Sequence, residues 1–123
     1  MRVMVIVKAS ADSEAGTMPS AELLEAMEDF NRQLIAAGIM VTGDGLKPSS
    51  QGKRIHFDGT ARTVSDGPFA QTNELVAGFW LWQVRDMDEA MEWAQRCPNP
   101  MPGPSDLELS LIHISEPTRP LYI

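Results

Sequence analysis

Three side chains in the middle of this sequence could move protons. Asp66 heads the run Asp66-Gly67-Pro68-Phe69, Glu74 follows after a short segment, and His56 precedes both on a separate stretch. A carboxylate held near backbone donors and screened by an aromatic ring can serve as a general base, its pKa set by burial against hydrogen bonding. Asp66 is the first candidate for that work, with Phe69 as its screen. Paired with Glu74 it would give two carboxylates, of which one could be held protonated. His56 lies between Ile55 and Phe57 and faces away from them, alongside Arg54 and Asp58, where it could supply a second base. Each has a plainer reading. Asp before Gly-Pro can fix a turn through its own backbone, Glu74 can pair with Arg54 or Arg62, and a lone strand histidine beside charges is ordinarily solvated.

Phe69, Thr72, Glu74 and Trp80 are the expected lining of a ligand cleft. Phe69, Phe79, Trp80 and Trp82 could wall a planar molecule, although alternating aromatics in a strand are first of all packing residues. Cys97 has no neighbouring base and precedes Pro98 at a helix end, where the dipole disfavours a thiolate, so it is expected to be inert.

The elements that must position these groups follow from periodicity. Val3-Met4-Val5-Ile6-Val7 reads as a buried strand, and Asp12 to Thr17 as a loop. Pro19 and Ser20 open a helix whose Leu23, Met27, Phe30 and Leu34 share one stripe, with Gly38 as its stop. Ile39 to Thr42 is a short strand that Gly43-Asp44-Gly45 turns. Arg54 to Phe57 and Arg62 to Ser65 flank Asp58-Gly59 as a hairpin. A long strand runs from about Glu74 to Val84 with apolar side chains on both faces. Asp86 and Glu89 then open a second helix as a capping box, with Ala90, Trp93, Ala94 and Cys97 inward. Pro98, Pro100, Pro102 and Pro104 form a stiff extended linker into a last strand at Asp106 to Leu109.

A chain of 123 residues suffices for one core, and 43% hydrophobic with 22% charged residues is ordinary globular composition. One cysteine and two histidines leave neither an internal disulfide nor a zinc constellation. The formal charge of −7, with ten scattered basic residues, argues against nucleic acid. Val3 to Lys8 is too short for a signal sequence or a membrane span, so a cytoplasmic location is expected. No glycine loop precedes a helix in the way a phosphate site requires, and no metal or cofactor is expected. The element order gives an α+β, ferredoxin-like sandwich with an extra hairpin. Helices can cover only one face of the doubly apolar strand, so a homodimer with its sheets face to face is expected, with Val76 and Trp80 at the contact.

The segment Asp66-Gly67-Pro68-Phe69-Ala70-Gln71-Thr72-Asn73-Glu74, followed by Gly78-Phe79, resembles the YCII-related family, specifically its DGPF-motif subgroup. The likeness extends over the first strand, the Gly43-Asp44-Gly45-Leu46 turn and the second helix with its Cys97-Pro98 end. Gln71 and Asn73 depart from the glutamate and lysine common there. The resemblance implies a small dimeric α+β barrel. Some YCII relatives act on small ring compounds, as in lactone dechlorination, and a histidine and aspartate pair has been proposed for them. Asp66 is similar to that aspartate, whereas Ala9 to Pro19 holds no counterpart of the histidine. Genes of the subgroup often lie beside those for extracytoplasmic-function sigma factors.

Residues 1–109 are therefore read as a YCII-related domain, and residues 110–123 as a non-native or divergent tail similar to translated sequencing-adapter read-through. The expected function is binding of a small molecule, with acid/base catalysis on a cyclic or carbonyl compound. The alternative is a non-catalytic regulatory or interaction module associated with a sigma factor.

Overall fold

Alternate valines set the centre of the structure, a computed structural model that describes residues 1–112. Val3, Val5 and Val7 of β1 (Arg2–Lys8) are buried, and the residues between them point to the opposite face. β1 pairs antiparallel with β5 (Val76–Gln83) on one side and β6 (Leu107–Leu111) on the other, and β2 (Met40–Gly45) pairs with β5. The resulting order is β2-β5-β1-β6. A separate two-stranded sheet, β3 (Lys53–Asp58) with β4 (Ala61–Asp66), is inserted between β2 and β5. The fold is α+β with antiparallel sheets, compatible with a ferredoxin-like arrangement.

The helices lie on one face. In α2 (Ala21–Ala36) the Ser20 hydroxyl accepts the Leu23 N–H at 3.1 Å, capping the first turn as the sequence requires. Phe30 and Leu34 of its apolar stripe are buried, and Phe30 meets Trp80 and Trp82 edge-on with centroids 6.0 and 6.3 Å apart. Trp93 of α3 (Met87–Arg96) joins the same cluster, 6.5 Å from Phe30. Each such buried side chain contributes about 1.5–3 kcal/mol. Among the described residues no helix is long and apolar enough to cross a membrane.

Several local expectations are corrected. Trp80, expected at a dimer contact, is 6% exposed beneath Phe30, so the helix-covered face is the one carrying the tryptophans. Gly43-Asp44-Gly45 is strand rather than turn. The glycine is there because a Cβ on Gly43 would stand 2.6 Å from the Trp80 indole, its pairing partner across the sheet. Ala11–Glu14 forms a one-turn helix, α1, where a loop was expected, because Ser10 and Ser13 cap each other. Glu74 does not begin β5 but closes a 3₁₀ turn, Thr72–Glu74, ahead of it.

At the start of α3 Asp86 accepts the Glu89 N–H at 2.9 Å, as expected of the cap. The Glu89 carboxylate reaches past Asp86 to the backbone and guanidinium of Arg85, which lower its pKa. The proline-rich segment after α3 is no extended rod. Asn99 gathers it, accepting from the Met101 N–H and the Ser105 hydroxyl and donating to the Gly103 carbonyl. β6 runs to Leu111, and residues 113–123 of the expected tail lie outside the described residues.

Candidate functional site

Where β2, β5 and β1 meet α2 between Leu23 and Asn31, the two layers part and leave a cavity of about 910 Å³. The i, i+4 row of α2 forms one wall with Leu23, Met27 and Asn31, while Trp80, Gly43 and Val7 form the sheet side. α1 supplies Asp12 and Ser13 at the rim, Asp44 stands on β2, and Met101 reaches in from the loop that Asn99 organises. The Met101 sulfur accepts the Ser10 hydroxyl at 3.2 Å, which ties that loop to the cap of α1.

Asn31 and Trp80 define the polar chemistry. The Trp80 indole N–H can only donate, and it does so to Asn31 Oδ1 at 2.9 Å. This bond fixes the orientation of both side chains and turns the Asn31 amide NH₂ the other way. Among the described residues that NH₂ finds no acceptor, and Asn31 lines the cavity. Asp12, Ser13, Thr17, Ser20, Asp44 and Asn99 add polar groups to a lining that is otherwise mostly apolar, the composition of small-molecule sites. Among the described residues no group of three or more His, Cys, Asp or Glu side chains is placed to hold a metal.

The Asp66 segment is arranged for something else. Asp66, 75% exposed at the end of β4, pairs with Lys53 across the hairpin at 2.6 Å. Gly67 packs so tightly on the turn at Ser49 that an added Cβ would lie 1.7 Å from the Ser49 carbonyl oxygen. The Phe69 N–H donates to the Ser49 hydroxyl at 3.1 Å, and the Arg54 guanidinium lies 4.0 Å from the Phe69 ring centre. Ser49 in turn donates its N–H and its hydroxyl to the Glu14 carboxylate of α1. Asp66-Gly67-Pro68-Phe69 therefore anchors the base of the hairpin to the element that rims the cavity.

Residues 1–108 match the family model of the YCII-related domain. The chain belongs to the YCII-related family. It is 28% identical over 95 residues, 77% of each chain, to a protein of Rhizobium meliloti (strain 1021) described as uncharacterised.

Within this YCII-related domain the expected site residues part company. Trp80 lines the main cavity. Phe69 lines a second hollow of about 380 Å³ with Glu14, Ser49, Leu75 and Val76. Asp66, Thr72, Glu74 and His56 line neither hollow. His56 sits on exposed β3 opposite Thr63, on the strand face it was expected to share with Arg54 and Asp58. Asn31 was overlooked, yet it carried a signal: it is the polar member of the otherwise apolar row Leu23, Met27, Asn31. Asp12 and Asp44 carried none, being read as parts of a loop and a turn.

Proposed function

We propose that this YCII-related protein binds a small cyclic or carbonyl compound in the cavity between α2 and the sheet. The observation that carries the reading is a preformed hollow of about 910 Å³ with a largely apolar wall and the amide of Asn31, fixed by Trp80, on its lining. Proton transfer, if the bound compound reacts, falls to Asp12 or Asp44, the titratable groups on the cavity, rather than to Asp66 or His56. We assign the chain to the DGPF-motif subgroup on Asp66-Gly67-Pro68-Phe69, and give that motif a scaffolding role. We also propose a homodimer of the α+β barrel type. Met4, Ile6, Phe79 and Leu81 alternate with the buried residues of β1 and β5, so they lie on the sheet face away from the helices.

A regulatory module contacting a sigma factor would instead use the exposed hairpin, where Ile55, Phe57 and Val64 are solvent-facing. The cavity favours the ligand reading. A thermal-shift screen of small neutral cyclic carbonyl compounds tests it, because a ligand at a hundred times its Kd stabilises the folded state by about 2.7 kcal/mol. Leu23→Trp, which fills the cavity from α2, is expected to abolish the shifts. Compounds that stabilise wild type and Leu23→Trp equally would place binding elsewhere.

A further inference from the structure

We infer that the cavity selects by charge, taking planar ring compounds that are uncharged or cationic and rejecting carboxylates and phosphates; this rests on the cavity being the binding site. Asp12 and Asp44 are its charged lining residues, and among the described residues that line it there is no lysine, arginine or histidine. The two lysines adjacent in sequence to lining residues are placed elsewhere: Lys47 lines the second hollow, and Lys8 pairs with Glu108 of β6 at 4.0 Å. The positive end of α2 offers little compensation, since Ser20 caps it and Glu22 stands in its first turn.

An anionic ligand would thus lose its hydration shell against Leu23 and Met27 with no cation on the lining to replace it, and with two exposed aspartates, Asp12 and Asp44, among the lining residues. The chain's formal charge of −7 acts in the same direction at longer range. A neutral carbonyl meets none of these penalties. Its oxygen can accept from the Asn31 NH₂ while its ring lies against the apolar row of Leu23 and Met27. A cationic head replaces the carbonyl with a partner for the rim carboxylates.

Three isosteric probes separate the cases: 2-naphthamide, 2-naphthamidine and 2-naphthoate, titrated calorimetrically into the full chain at low and at moderate salt. The amide and the amidine are expected to bind at least about tenfold more tightly than the carboxylate, and added salt to narrow the gap between amidine and carboxylate. In an Asp12→Asn, Asp44→Asn double variant the amidine is expected to weaken about tenfold and the amide to change little, because only the charged head loses its partners. Should the variant fail to fold, the salt dependence of the wild type decides alone. Carboxylate binding as tight as amide binding, abolished by Leu23→Trp, would overturn the charge selection and leave the cavity reading standing. If no probe bound, or all bound Leu23→Trp unchanged, both would fall.

Discussion

The DGPF segment separates what residue type suggests from what residue position permits. A carboxylate followed by Gly-Pro-Phe invites a catalytic reading, yet Asp66 is spent on an exposed pair with Lys53, and such pairs contribute about 0–1 kcal/mol. Asp66→Asn is expected to change urea stability within that range and to leave ligand titrations unaltered. Loss of binding at unchanged stability would return Asp66 to the site. Gly67 is the residue the segment cannot do without. Gly67→Ala drives a methyl into the Ser49 carbonyl oxygen, and the forced backbone shift is expected to cost about 3 kcal/mol in the same denaturation experiment. Cys97 supplies a pH test. Burial raises its thiol from 9.0 to about 11, so between those values the folded chain keeps a proton that the unfolded chain has released. Stability is then lost as pH rises from 9.0 towards 11, relative to Cys97→Ser, and alkylation of the native protein at pH 8 is expected to be slow.

Elements were more legible than sites. The valines of β1, the Leu23-Met27-Phe30-Leu34 stripe and the Asp58-Gly59 hairpin could each be read locally, because the periodicity of an element is written in its own residues. Gly43 could not be read this way, since its reason is an indole on another strand. The expected site residues are dispersed for a related cause. His56, Asp66 and Glu74 are near one another in sequence, but β2 and β5 pair directly and leave the hairpin outside the main sheet, and none of the three lines the cavity. What the hairpin base does reach is α1, through Phe69, Ser49 and Glu14. Ser49→Ala removes the hydroxyl shared by Phe69 and Glu14, and is expected to destabilise by about 1–2 kcal/mol. It should also raise amide exchange in α1 and weaken ligand binding at the rim. Faster exchange confined to the hairpin, with α1 unchanged, would show that the two elements are not coupled.

At the scale of the whole molecule, the asymmetry of the sheet sets the problem. One face holds Trp80, Trp82 and Val5 under two helices, while the other carries Met4, Ile6, Phe79 and Leu81 with no helix above them among the described residues. Contiguous apolar surface of that kind marks interfaces in soluble proteins. The proposed pairing therefore moves from Val76 and Trp80 to the opposite side of the same strands, and the variants that test it change accordingly. Leu81→Glu would bury an unpaired carboxylate between two sheets at a cost of about 3 kcal/mol or more, and is expected to yield a folded monomer in sedimentation at micromolar concentration. The rival contact is the hairpin, whose Ile55, Phe57 and Val64 share one exposed face. Val64→Glu probes it, and is expected to leave the dimer intact. Dissociation by Val64→Glu with Leu81→Glu still dimeric would transfer the interface to the hairpin. A wild-type chain that sedimented as a monomer would remove the dimer altogether, while leaving the cavity untouched, because every wall of that cavity comes from a single copy.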